Sequence, residues 1–229
     1  GGYGIFYSYP PMAVRIGTPS FSIPFFSQIT ATNSTTNPVP TATILTTPAT
    51  AAFAGQPFST DYRAGKTQEW SFGIQRELGA TRVVEVNYLG SHGSDLYSQE
   101  LPNQAVPGPG SVNSRKPFPL LAANLIWSGP IGRSNYNALQ LRFEQRQWHG
   151  LSFVTHYTFS KALDTASSLL SNAANPSVPQ NSRNLDAEYS RSSFDARHRF
   201  IANGFYQLPF SSSNNALDRV IGGWQLGWV

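Results

Sequence analysis

Residues Ser134–Asp164 read "SNYNALQLRFEQRQWHGLSFVTHYTFSKALD". Two runs of alternating side chains flank a break at Trp148-His149-Gly150. In the first run, Leu139, Leu141 and Phe143 alternate with Gln140, Arg142, Glu144 and, further on, Arg146. In the second, Leu151, Phe153, Thr155, Tyr157 and Phe159 alternate with Ser152, Val154, His156, Thr158 and Ser160. A period of two is that of a β-strand with different surroundings on its two faces. The tight break makes the pair a hairpin. One face is apolar and the other charged, so the medium on each side decides the fold.

The same period recurs along the chain. The predicted strands are residues 2–9, 68–78, 82–90, 137–147, 151–161, 197–209 and 223–229. In 68–78, Trp70, Phe72, Ile74 and Leu78 share a face opposite Glu69, Ser71, Gly73, Gln75 and Glu77, with Arg76 breaking the apolar row near its end. In 82–90, Val84, Val86 and Tyr88 oppose Val83, Glu85, Asn87 and Leu89. In 197–209, Phe200, Ala202, Gly204, Tyr206 and Leu208 oppose Arg199, Ile201, Asn203, Phe205 and Gln207. Strong helical periodicity is absent.

The connections alternate in length. Gly79-Ala80 and Trp148-His149-Gly150 are tight turns, and Phe210–Gly222 is a somewhat longer link of the same kind. Between them lie long segments rich in Pro, Ser, Thr, Asn and Ala: Pro10–Thr67, Ser91–Tyr136 and Ala162–Ala196. Long structureless loops count against a compact soluble domain. Here they follow every second strand, so all leave from one end of an up-and-down sheet. Short turns at one end, long loops at the other and strands of about ten residues are the pattern of an outer-membrane barrel. Residues 68–78, at ~3.3 Å each and tilted by ~40°, rise roughly 28 Å, which matches an apolar band of ~25 Å. The expected fold is therefore all-β, an antiparallel up-and-down meander forming part of a large transmembrane β-barrel with long extracellular loops.

Composition agrees. The chain has 229 residues, of which 12% are charged and 13% aromatic; soluble domains average about 25% charged. The absence of cysteine removes disulfide scaffolds, Cys-based zinc sites and thiol catalysis. The net charge of +4 is spread along the chain, which speaks against nucleic acid as a partner. No stretch reaches the ~18 consecutive apolar residues of a spanning helix. The chain opens "GGYGIFYSYP" and stops at "GGWQLGWV", both inside strand-like runs. The expectation is a piece, residues 1–229, of a longer protein.

The alternation assigns the faces. Leu139, Leu141, Phe143, Leu151, Phe153, Tyr157 and Phe159 are expected against lipid. Gln140, Arg142, Glu144, Arg146, Ser152, His156, Thr158 and Ser160 are expected in a polar lumen. The opposite facing would put Arg142 into hydrocarbon at ~2–4 kcal/mol. Trp70, Tyr88, Tyr157, Phe159 and Trp224 suit interfacial girdles.

Three stretches, "TQEWSFGIQRELGATRVVEVNYLGSHGSDL", "SNYNALQLRFEQRQWHGLSFVTHYTFSKALDTAS" and "SSFDARHRFIANGFYQLPF", resemble the barrel region of TonB-dependent outer-membrane receptors. The nearest likeness is to the subgroup with an N-terminal carboxypeptidase-regulatory-like domain. The resemblance implies a barrel of about twenty-two strands, closed by a plug domain and driven by an inner-membrane energy-coupling complex. It implies active uptake of a solute across the outer membrane, with outer-membrane lipid, plug, coupling complex and solute as partners.

Candidate site residues are polar groups of the lumen and rim: Glu85, Arg142, Glu144, Arg146, His156, Asp195, Arg197 and Arg199. Their near balance of sign suggests a paired wall able to contact plug or solute. "FDARHRF" reads either as a basic rim for an anionic ligand or as a structural network in which Asp195 pairs an arginine. Asp95 and Asp164, at the outer rim, read as loop caps ahead of a calcium site. The histidines His92, His149, His156 and His198 lack metal-ligand spacing. "PGPGSVNSRKP" lacks the glycine directly before the lysine of a phosphate loop. No catalytic constellation, cofactor site or metal site is expected, and no enzyme activity. The competing readings are a non-transporting adhesin or scaffold whose long loops bind partners, and a secreted β-sandwich. The sandwich would need a second apolar face where this sequence has Glu69, Gln75, Glu77, Arg142, Glu144 and Arg146.

Overall fold

The computed structural model describes residues 1–9, 57–61, 63–121, 125–168, 178–211 and 219–229. The strands are β1 (Gly2–Ser8), β2 (Gly65–Glu77), β3 (Arg82–Glu100), β4 (Trp127–Trp148), β5 (Leu151–Asp164), β6 (Ser190–Arg191), β7 (His198–Gln207) and β8 (Gln225–Trp228). They form a single antiparallel sheet in the order β1-β2-β3-β4-β5-β7-β8, with β6 a short stub on β5. Neighbours in sequence are neighbours in space. Short connections join β2 to β3 and β4 to β5, the longer link from Leu208 to Trp224 joins β7 to β8 at the same end, and the β1–β2, β3–β4 and β5–β7 connections leave from the opposite end.

The register fixes what shares a face. Leu141 pairs with Val86 on one side and Tyr157 on the other; Ile74 pairs with Val86, and Phe200 with Tyr157. These five make one outward row. Gln75, Glu85, Arg142, His156 and Ile201 make the neighbouring row on the opposite face. The outward apolar groups are open: Phe72 is 62% exposed, Ile74 61% and Phe200 66%. Among the described residues no second sheet covers either face. One face is apolar without a packed partner and the other is polar, as a bilayer on one side and water on the other demand. The second apolar face of a sandwich is absent among the described residues.

The apolar groups do not keep to fixed rows. On β1 they are Tyr3, Ile5 and Tyr7, near the long-loop end; on β8 they are Leu226 and Trp228, paired with Tyr206 and Gly204 near the short-turn end. A level band that slides along the register in this way is the shear of tilted strands. Trp70 lies over Gly90, where an added Cβ would come within 2.1 Å of the indole. The glycine thus gives the ring its bed on the outward face. At the β4–β5 turn, His149 (φ +49°) and Gly150 (φ +82°) supply the left-handed backbone that a tight hairpin needs, and Gln147 N–H donates to Ser152 Oγ at 2.9 Å.

The strands run further than the sequence pattern implies. Residues 91–100 and 127–136, expected within a loop, are strand. The β3–β4 hairpin therefore carries on to the pair Glu100–Trp127. Nineteen residues at ~3.3 Å and ~40° of tilt rise about 48 Å, so the hairpin stands about 20 Å beyond a ~25 Å band. It passes two adjacent register shifts, between Gly93 and Leu96 and between Leu96 and Tyr97, and Asp95 in the first has φ +52°. Above them lies a small core of its own. Tyr97 and Leu125 are buried, Tyr97 stacks on Phe58 at 6.0 Å, and Ser59 N–H and Ser128 N–H tie residues 57–59 to β4. Two further corrections are small: β5 continues to Asp164, and the Ala162–Ala196 segment contains β6. Most of the expected Pro10–Thr67 loop, residues 10–56 and 62, lies outside the described residues, as do residues 212–218 of the β7–β8 link.

Candidate functional site: the lumenal charge ladder and the outer rim

Alternation puts Arg142, Glu144 and Arg146 in line on one face of β4, and the register sets Glu85 of β3 opposite Arg142. Their side chains join. Arg142 Nη1 lies 3.5 Å from Glu85 Oε2, and Arg142 Nη2 donates to Glu144 Oε2 at 2.5 Å. Arg146 Nε donates to the other oxygen, Glu144 Oε1, at 2.6 Å. Asn87 Nδ2 donates to Glu85 Oε1 at 2.8 Å. The result is a neutral ladder of two arginines and two carboxylates with each carboxylate held from two sides. All four are at least partly open to solvent, so the pairs hold geometry more than they add stability.

His156 is the β5 partner of Arg142, and Arg199 of β7 pairs with Thr158, one step along the same face. A shallow concavity of about 280 Å³ lies between Glu85, Gln140, Arg142, His156 and Thr158. A larger one, about 610 Å³, opens toward the short-turn end beside Arg142, Glu144, Arg146, Ser152, Asn203 and Phe205. Six of the eight expected site residues thus share one face: Glu85, Arg142, Glu144, Arg146, His156 and Arg199.

Asp195 and Arg197 stand apart, at the outer rim. Asp195 is bound into the fold. Its Oδ1 accepts the Ala162 N–H at 2.7 Å, and Oδ2 is 3.5 Å from Arg191 Nε. Arg197 contributes its carbonyl to Ser160 N–H at 2.9 Å. His198 faces outward, with Nδ1 2.8 Å from Tyr157 Oη. The cations of "FDARHRF" do not converge: His198 and Arg199 lie on opposite faces. The arginine that meets Asp195 is Arg191, outside the motif. Asp164 is capped by hydroxyls, with Ser192 Oγ donating at 2.6 Å and Ser167 Oγ at 2.9 Å. Asp95 pairs with Arg63 at 3.6 Å.

The rim also holds a contact between loops with no local sequence signal. Leu101 N–H donates to Ser182 Oγ at 2.8 Å, Gln104 Nε2 to Gln180 O at 2.8 Å, and Ser182 N–H to Gln104 Oε1 at 3.0 Å. Arg183 Nη2 adds a bond to Gln104 O. The β3–β4 and β5–β7 loops are thereby clasped. Asn103, fully buried, organises the first of them by bonding Phe118 and Leu121 backbone groups. At the root of that loop, burial pushes the Glu100 carboxyl above its ordinary range.

Among family models, one described as an outer membrane beta barrel domain matches residues 1–229. No curated protein and no solved structure matches the chain.

Proposed function

The chain belongs to the outer membrane beta barrel domain family, and from that premise we propose that it is part of the barrel wall of a TonB-dependent receptor that takes up a solute. Its place is the outer membrane, with the apolar face against lipid. The observation that carries the proposal is the ladder Glu85–Arg142–Glu144–Arg146, a band of paired, solvent-reachable charge on the face turned from lipid. The interior of such a barrel is polar, and these pairs line it within reach of solvent. Pairs this open can exchange partners with a passing solute or a plug at small cost. The clasped outer loops supply a second, ordered surface above it.

In this reading the plug and the inner-membrane coupling complex are contributed by the rest of the protein and the cell. The test is uptake by cells carrying the full-length protein, with the energy-coupling system intact or deleted. Accumulation of a labelled solute that requires coupling supports transport. Binding of partners at the cell surface with no coupled accumulation would favour the adhesin or scaffold reading.

A further inference from the structure

Carboxylates are unevenly divided between the two faces of the sheet. On the short-turn side of the irregularity that begins at Gly93, the carboxylates of β2 to β5, Glu69, Glu77, Glu85, Glu144 and Asp164, fall in the lumenal register set; β3 carries Asp95, paired with Arg63, and Glu100 beyond that point. The outward set holds cations instead: Lys66 and Lys161 toward the long loops, Arg76 and Arg82 toward the short turns. Neither Lys66 nor Lys161 forms an ion pair among the described residues.

The outer cations belong to a line. Lys66 pairs with Ser94, and His92 is two residues nearer the short turns. His92 pairs with Asn135, two residues from Asn137, which pairs with Lys161. Phe159, two further, pairs with His198. From Lys66 to His198 the line crosses four strand spacings and drops six residues. At ~4.8 Å per spacing and ~3.3 Å per residue, its slope to the rows is about 46°. Strands of such barrels tilt by ~35–45°. The line therefore runs nearly level in the membrane, along the outer edge of the apolar band. Trp70, Leu139, Phe159 and Phe200 lie within two to four residues on its bilayer side. It presents the ammonium groups of Lys66 and Lys161 and the imidazole of His92 outward, with His198 bonded to Tyr157 Oη and the Asn137 amide held between Tyr88 Oη and Asn135 Oδ1.

We infer that Lys66–His92–Asn137–Lys161–His198 is a docking line for phosphate-bearing lipid of the outer leaflet, with Lys66 and Lys161 donating to the phosphates. Charge complementarity selects the occupant. The ammonium groups of Lys66 and Lys161, set at headgroup height and in no ion pair among the described residues, meet anionic lipid there. The aromatic row beneath receives the acyl chains, as interfacial aromatics do.

The test uses the intact protein, assembled in the outer membrane, extracted in mild detergent and delipidated. It is titrated with bicelles containing a lipid phosphate monoester, or the same lipid after enzymatic dephosphorylation. The wild type should prefer the phosphorylated lipid. Lys66→Gln/Lys161→Gln should lose about thirtyfold in affinity for it, and Lys66→Arg/Lys161→Arg should keep it. Excess inorganic phosphate should not displace the lipid. Heat-modifiable gel mobility reports that each variant is folded. If the Gln pair fails to assemble, the dephosphorylation arm on the wild type decides. Equal affinity for both lipids, an unchanged Gln pair, or ready displacement by inorganic phosphate, which would mark a free-anion site, overturns the proposal.

Discussion

Glu85 and Arg142 face each other across β3 and β4, and their charged ends meet at 3.5 Å on the lumenal side of the sheet. One residue along, Val84 and Phe143 face each other on the lipid side. Adjacent positions thus live in different solvents, and this makes the assignment of faces testable.

Phe143→Arg places a guanidinium in the apolar band at a cost of about 2–4 kcal/mol. It should hinder assembly of the intact protein. Arg142→Phe should assemble, because the lumen accepts an apolar group, while releasing Glu85 and one oxygen of Glu144. Heat-modifiable mobility in outer-membrane fractions scores both. Normal assembly of Phe143→Arg with failure of Arg142→Phe would invert the facing.

The pair itself should be worth little in stability. A double-mutant cycle with Glu85→Gln and Arg142→Gln should give a coupling of about 0.2–1 kcal/mol, because both groups are partly exposed. The coupling should shrink as salt is raised. Denaturant unfolding in detergent measures it, and a coupling of several kcal/mol would mean that the ladder is structurally dominant.

Gly90→Leu should drive Trp70 from its bed, since even a Cβ at Gly90 falls 2.1 Å from the indole. We expect a loss of about 1–3 kcal/mol with a change in tryptophan fluorescence. Gly79→Leu, with no neighbour near its Cβ, is the contrast: its cost comes from backbone strain at φ +72°, and the fluorescence should hold.

Gln104→Ala removes the side-chain bonds to Gln180 and Ser182. The clasp should open more often, so amides of residues 180–183 should exchange faster and loop proteolysis should rise, with barrel assembly unchanged. Exchange equal to wild type would mean that the remaining Leu101–Ser182 and Arg183–Gln104 bonds suffice.

Burial raises the Glu100 carboxyl's pKa. A raised folded-state value means that the contribution of the protonated form is fully present below the unfolded-state pKa. It is lost as pH rises through the folded one. The tip of the β3–β4 hairpin should therefore loosen over the pH range that starts at the ordinary carboxylate pKa and runs upward, and Glu100→Gln should flatten that dependence. Hydrogen exchange of residues 97–100 and 127–130 across this range is the measurement.

The period of two made β2, the lower halves of β3 and β4, and β5 legible, because large apolar and charged side chains alternate there. It failed above Gly90. Ser91, Gly93, Ser94, Gly129, Pro130 and Gly132 carry too little side chain to show a face. That part of the hairpin is held instead by contacts from afar, Phe58 on Tyr97 and Ser59 on Ser128. The ladder was half legible: Arg142, Glu144 and Arg146 stand two apart in sequence, but the Glu85 partnership needs the register. The clasp was invisible, since Gln104 and Ser182 are 78 residues apart and neither belongs to a pattern. Of the two readings of "FDARHRF", the structural network has a partner in the fold, Asp195 with Arg191, while the basic rim does not gather, because neighbours on a strand fall on opposite faces.

The unbroken pairing of β2 with β3, from Lys66–Ser94 to Glu77–Val83, bears on how such a chain can change over generations. Loss or gain of one codon within it would exchange the two faces for every residue beyond that point, sending Glu85 toward lipid and Val86 toward water. Substitutions can accumulate singly there, but changes of length cannot. Length can vary freely only where the chain has left the bilayer, and most of that slack lies on the long-loop side. The molecule is thus built to be rewritten from the outside, where selection by the surroundings acts, while its inner turns keep count.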